Sequence, residues 1–286
     1  MLTLIAPAKV NLTLEVLQKR PDGYHEIRSV LQAVSLCDRL SFKPNDKIIF
    51  ECDSPLWQAE KSLVGRVVEA IKRHTGVSNG VLIQITKGIP LSSGLGGDSS
   101  DAAAILQGLN QLWELGIPPG ELAGIAGTLG SDVTFFLSGG TALAEGRGEF
   151  ISPLPEMLPV WIVLLMPHLE RPEFKTGAMY SRLSPQHFTS GDRTEALIAR
   201  LTRGESIRSN YLYNIFESVA FKAFNGLEKY RDGFQNIAGE PVHLAGAGPA
   251  LFALFSDAEK AARVWRNLKE RGLETYLTET QNSIRM

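Results

Sequence analysis

Pro90-Leu91-Ser92-Ser93-Gly94-Leu95-Gly96-Gly97-Asp98-Ser99-Ser100-Asp101 runs straight into Ala102-Ala103-Ala104 and an apolar stretch. A glycine-rich loop therefore opens a helix. Glycine lets the backbone turn tightly and approach a ligand with no Cβ in between. The helix start adds N–H groups outside the helical ladder and a partial positive charge. The combination is a phosphate site. No Gly-Lys-Ser/Thr follows, so the loop is not a Walker A motif, and Gly94-x-Gly96-Gly97 is a poor dinucleotide fingerprint. The plainer alternative is a turn that merely joins a strand to a helix.

Outward from the loop, Val81, Ile83 and Ile85 alternate along a strand over 80–87. Residues 99–115 read as a long helix, with Ser99 or Ser100 as N-cap and Gly116 behind its end. Further helices are expected over 61–74, 121–129, 194–201, 215–227 and 258–271. Strands are expected over 30–36, 47–51, 160–166, 242–244, 251–255 and 275–279. In the opening segment Leu12, Leu14 and Val16 alternate with Asn11, Thr13 and Glu15, the period of a half-buried strand. Prolines at 153, 155 and 159 suggest a boundary between domains 1–155 and 156–286. The class is α+β in two domains.

Composition narrows the function. The 286 residues are 44% hydrophobic and 21% charged, enough for a normal core. A net charge of −2, with no basic run, excludes a global field for nucleic acid. Any phosphate-bearing substrate must be held locally. Cys37 and Cys52 lie in no Cys-x-x-Cys motif, and the histidines have no metal-ligand spacing, so two reduced thiols in a cytoplasmic protein are expected. The apolar run 160–166 is too short to span a membrane. Nothing implies a membrane or a protein partner; a small-molecule substrate is expected.

Other segments share the chain with the loop: Pro7-Ala8-Lys9-Val10-Asn11-Leu12, Lys19-Arg20-Pro21-Asp22-Gly23-Tyr24-His25-Glu26, Gly130-Ser131-Asp132-Val133, Gly146-Arg147-Gly148-Glu149 and Ala245-Gly246-Ala247-Gly248-Pro249. In this order they resemble the GHMP kinases, the superfamily of galactokinase, homoserine kinase and mevalonate kinase, over nearly the whole chain. The Arg-Pro-Asp-Gly-Tyr-His segment is the discriminating one. It resembles the branch whose alcohol substrate carries cytidine diphosphate, in isoprenoid precursor synthesis. The resemblance implies an N-terminal nucleotide-binding domain and a ferredoxin-like C-terminal domain with the active site between them. It also implies ATP and Mg²⁺.

Phosphoryl transfer to an alcohol needs a held triphosphate, a base for the hydroxyl, and compensation of the transferring charge. Residues 90–100 suit the first need, with Ser99 and Ser100 able to bond phosphate or help hold Mg²⁺. No metal-ligand set is legible. Asp132, between a glycine-serine turn and an apolar run, suits either a helix cap or a base; the resemblance selects the base. Lys9 in an apolar strand is either an edge lysine or a buried, paired one. The resemblance makes it the charge partner of Asp132, with Asn11 on the same face. It further assigns Tyr24 and His25 to the cytidine part of the substrate, Thr176 and Tyr180 to further substrate contacts, and Gly246 to the approach of the substrate's phosphates. The wording departs from the family at Asp98, Thr134, Ala247 and the stretch 170–175. Two rival readings remain: a GHMP kinase for another alcohol, such as homoserine or a sugar, against which Tyr24-His25 argues; and a non-catalytic nucleotide sensor, against which Lys9 with Asp132 argues.

Overall fold

A computed structural model of the chain describes residues 1–170 and 175–282. The chain divides into two compact units, each drawn from separated stretches. The first unit comprises Met1–Ala8, Leu36–Ser92 and Gly96–Ser138; the second comprises Lys9–Ser35, Ser93–Leu95 and the chain from Gly139 onward. Two long strands, β1 (Leu2–Lys19) and β2 (His25–Asn45), contribute to both units. This division therefore differs from a single cut after residue 155.

In the first unit, residues 39–45 of β2 pair antiparallel with β4 (Gly80–Thr86), and β3 (Ile48–Cys52) runs parallel to β4. Four helices complete the unit: α1 (Val64–Thr75), α2 (Gly97–Leu112), α3 (Pro119–Leu129) and α4 (Ser131–Ser138). α1 buries Val64, Val67, Val68 and Ile71, the single face that its periodicity marks. α2 starts earlier than the sequence suggests. Its N-cap is Gly96, left-handed at φ +79°, and not Ser99 or Ser100. A left-handed residue ends the loop, and both serines fall inside the first turn. Gly108 lets α2 lie against β2, since a Cβ there would come within 2.5 Å of the Phe42 ring.

In the second unit, β5 (Thr141–Gly146) pairs with residues 27–32 of β2, and β6 (Phe150–Pro153) pairs with β5. β8 (Tyr213–Asn214) runs parallel to β1 at Thr13 and Leu14. A separate antiparallel sheet has the order β11-β7-β10-β9, from β7 (Trp161–Met166), β9 (His243–Leu244), β10 (Leu251–Phe255) and β11 (Glu274–Glu279). The helices are α5 (Lys175–Tyr180), α6 (Asp192–Thr202), α7 (Glu217–Ala223), α8 (Leu227–Ala238) and α9 (Ala258–Glu270). With helices before β9 and after β10, the order is the β-α-β-β-α-β of ferredoxin-like folds. Its core includes Val163, Leu165, Phe216, Phe224, Phe234, Leu251 and Leu268.

Two sequence expectations fail here for physical reasons. The helix expected over 215–227 is broken: α7 stops at Ala223, and Gly226, left-handed at φ +87°, starts α8. The opening strand is not half-buried. Asn11, Thr13 and Glu15 are 5%, 0% and 1% exposed, as buried as their apolar neighbours. Their polarity is satisfied from outside the strand. Asn11 Nδ2 donates to Ser29 Oγ (2.9 Å), Thr194 Oγ1 to Thr13 Oγ1 (2.9 Å), and Thr194 N to Glu15 Oε2 (2.8 Å). Buried polar groups demand such partners. Cys37 and Cys52 are free. Among the described residues, no helix is long and apolar enough to cross a membrane.

Candidate active site

The second unit gathers residues from three distant parts of the sequence. Lys9 is 4% exposed, and its Nζ donates to Asn11 Oδ1 (2.8 Å). It is thus a buried lysine and not an edge lysine. Ser29 fixes the Asn11 amide. The Ser29 hydroxyl spends its hydrogen on the Thr13 carbonyl (2.5 Å), so its oxygen can only accept from Asn11 Nδ2. The amide oxygen is left to face the ammonium. The Lys9 backbone N–H donates to the Leu95 carbonyl (2.9 Å), which joins this strand to the glycine loop.

The late glycine turn meets the same group. A Cβ on Gly246, which sits at φ +54°, would lie 2.9 Å from the Gly94 carbonyl, 3.4 Å from Asn11 Oδ1 and 3.6 Å from Lys9 Nζ. A Cβ on Gly94, at φ +94°, would strike the Ala245 carbonyl. Only glycine allows this approach. Asn214, which the sequence reading missed, holds the turn: its Nδ2 donates to the carbonyls of Leu244 and Gly246, both at 2.8 Å. No spacing signal marks Ser29 or Asn214, because each acts on residues far away in the chain.

An aromatic group lies elsewhere in the second unit. The His25 and Tyr180 rings stack with centroids 5.0 Å apart and planes 18° apart. Phe188 meets His25 edge-on at 6.1 Å, and Phe216 meets Tyr180 edge-on at 4.9 Å. Burial, and secondarily Lys19, hold the His25 imidazole below its ordinary pKa. Tyr24 is 56% exposed, with the Arg147 guanidinium 4.8 Å from its ring centroid. Arg147 belongs to a motif to which the sequence reading gave no role. Thr176, at the start of α5, is exposed. Most of the departing stretch before it, residues 171–174, lies outside the described residues.

In the first unit, α2 presents its opening N–H groups at Gly97, Asp98 and Ser99. Ser100 is buried, and its Oγ has no hydrogen-bond partner. Pro90, Leu91 and Ser92 lead in, with Ser92 at φ +52°. The Asp98 carboxylate is engaged by the Ser62 hydroxyl and by the Leu63 N–H (3.0 Å), at the start of α1. Asp132 lies in the first turn of α4 and is half-buried. Asp98 has its own use, so Asp98→Gly is expected to change the KM for ATP less than about twofold. It should still cost about 0.5–1.5 kcal/mol of stability through the lost hydrogen bond from the Leu63 N–H. Steady-state kinetics and thermal melts check both halves, and a large gain in ATP affinity would show the carboxylate acting on the phosphates.

Comparison with known proteins gives a consistent picture. Residues 62–140 match the family described as GHMP kinases N terminal domain, and residues 195–273 match GHMP kinases C terminal. A protein from Dehalococcoides mccartyi named 4-diphosphocytidyl-2-C-methyl-D-erythritol kinase is 50% identical over 98% of this chain and 98% of its own. One of the same name from Gloeobacter violaceus is 37% identical over 98% of this chain and 94% of its own. A crystal structure of 4-(cytidine 5'-diphospho)-2C-methyl-D-erythritol kinase superposes with a TM-score of 0.83 at 33% identity, covering 98% of this chain and 100% of that one. A homoserine kinase from Cytophaga hutchinsonii, at 20% identity and a TM-score of 0.74, shares the fold.

Proposed function

Because the chain belongs to the 4-diphosphocytidyl-2-C-methyl-D-erythritol kinase family of GHMP kinases, we propose that it transfers the γ-phosphate of ATP to the 2-hydroxyl of 4-diphosphocytidyl-2-C-methyl-D-erythritol, with Asp132 as general base and Lys9 as its charge partner. The observation that carries this reading is the convergence of Lys9, Asn11, Gly94 and Gly246 in the second unit. A buried ammonium beside two bare glycine backbones suits an anion that must come close.

The chemistry follows from the parts. Backbone N–H groups from Gly94 to Ser99 receive the triphosphate. Asp132 accepts the proton of the attacking hydroxyl. Lys9 offsets charge on the attacking oxygen. Asn11, held by Ser29, keeps Lys9 in place.

Mg²⁺ would neutralise charge on the phosphates. Among the described residues there is no cluster of three or more His, Cys, Asp or Glu able to hold a metal. Mg²⁺ by habit takes few protein ligands beside substrate phosphates, so its fit here rests on single oxygen donors. The buried, unpartnered Ser100 hydroxyl fits as one oxygen donor beside Ser99.

A substrate panel tests the reading: the cytidine-linked erythritol against homoserine, mevalonate and galactose, with phosphorylation coupled to ADP release. Preference for any of the last three overturns it. The loop has its own test. Gly96→Val puts a branched side chain at φ +79°, which costs about 1–2 kcal/mol of backbone strain, and it crowds the phosphate approach. ATP affinity by calorimetry should fall about tenfold or more while the protein stays folded. Unchanged ATP binding would remove this loop as the phosphate site.

A further inference from the structure

We propose that Asp38, Lys87 and Asp101 form a buried positioning unit that sets the shape of the 90–100 loop, and so the affinity for ATP, without touching the nucleotide. The proposal rests on the reading of that loop as the triphosphate site. Lys87 directly follows β4, and its side chain is only 7% exposed, while those of Asp38 and Asp101 are 0% exposed. The ammonium donates to Oδ2 of Asp38 (2.5 Å) and to Oδ2 of Asp101 (2.8 Å). Asp38 Oδ1 accepts the N–H groups of Gly88 (2.7 Å) and Ile89 (2.8 Å), the residues just before Pro90. Asp101 lies on α2 just past Ser100. The residues entering the loop and those leaving it are therefore tied to one lysine. Asp38 also lies under the start of α2, since a Cβ on Gly97 would be 3.6 Å from its Oδ2.

Stability alone does not explain this arrangement. Two carboxylates and one ammonium out of water are a weak stabilising device, and apolar side chains of similar volume hold such a place as well or better. What the charges supply is direction. Each hydrogen bond fixes one backbone or side-chain position within a narrow angle. Burial, reinforced by the nearby Asp38 charge, raises the Asp101 carboxyl well above the usual carboxylate range against the pull of Lys87. Burial works against the Lys87 charge, yet the two aspartates hold its pKa above the ordinary value. An Asp101 that keeps its proton leaves the unit neutral. Its Oδ1, buried with no partner, then costs less than it would on a carboxylate.

The test compares Asp101→Asn with Asp101→Ala. Asparagine is neutral, has the same shape and keeps an oxygen for Lys87, so its KM for ATP should stay within about twofold of wild type. Alanine cuts the tie to α2, and its KM for ATP should rise about tenfold or more, while kcat at saturating ATP and the KM for the alcohol stay within about threefold. A folded Asp101→Ala with unchanged KM for ATP, or with both KM values and kcat shifted together, overturns the proposal. If alanine prevents folding, Asp38→Asn decides. It keeps an oxygen for Gly88 and Ile89 but turns an NH₂ toward Lys87. Weaker ATP binding by calorimetry then supports the unit, and wild-type binding overturns it. Gly96→Val measured alongside separates two failures. If it abolishes ATP binding while Asp101→Ala leaves the KM for ATP alone, only the positioning unit falls; if Gly96→Val also binds ATP normally, the loop reading falls with it.

Discussion

Replacing Asp132 by asparagine is expected to lower turnover by about 10²–10⁴-fold, the usual worth of a positioned general base. The change keeps the shape of the side chain and removes its basicity. Asp132 stands in the first turn of α4, where a negative charge contributes about 0.3–1 kcal/mol through the helix dipole. A residue that only capped or charged the helix would lose that much stability and little rate. The proposed base should lose the same small stability and, in addition, far more rate than that loss explains. Lys9→Ala should also slow turnover, and the double variant should lose less than the product of the two single losses, because residues acting as a unit are not additive. Near-normal turnover of Asp132→Asn would make Asp132 a helix residue and place the base elsewhere.

Local chemistry made the glycine loop legible from the sequence, as it did the single apolar face of α1 and the lysine in the first strand. Misreadings arose where a residue answers to a distant partner. Alternation at 11–16 suggested one wet face, because periodicity does not see Ser29 and Thr194 satisfying Asn11, Thr13 and Glu15. The serines at 99 and 100 looked like caps, because sequence does not show that Gly96 has already taken the left-handed position that starts α2. Asp98 stood out only as a departure from the family wording, and its use at the start of α1 depends on Ser62 and Leu63, far away in the chain. His25 and Tyr180 are far apart in the chain, and nothing in either segment announces their stack. The buried tie of Asp38, Lys87 and Asp101 was likewise invisible: each residue alone reads as an ordinary surface charge.

A substrate in which uracil replaces cytosine is expected to be used at least about 10²-fold less efficiently in kcat/KM, since a site built to pair a ring edge rejects an analogue that leaves its groups unpaired. The proposed reader is His25, whose imidazole is held below its ordinary pKa of 6.5. Near neutral pH the ring is neutral, with one nitrogen free to accept from the cytosine amino group. Uracil offers an oxygen there. Protonation, which burial pushes to more acidic pH than for an ordinary imidazole, turns both nitrogens into donors, so the preference for cytosine should shrink only once the pH falls well below the ordinary histidine range. Stacking of the cytosine ring on Tyr24 has a separate test. Stacking a base on one aromatic ring is worth about 1–3 kcal/mol, so Tyr24→Ala should raise the substrate KM about tenfold to a hundredfold and leave ATP binding alone. Tyr24 is exposed, with Arg147 over its ring. A base can reach it by taking the other face. Tyr180 is a harder partner, because at 5.0 Å from His25 no third ring fits between the two. A base that stacks on Tyr180 must first displace the imidazole. His25→Ala therefore separates two routes: if stacking uses Tyr180, affinity rises as discrimination falls, and if it uses Tyr24, affinity and discrimination fall together. Equal use of the cytidine and uridine substrates by the unaltered enzyme would remove His25 as the reader, and with it the physical reason for Tyr24-His25 to mark this branch of the kinases over its relatives.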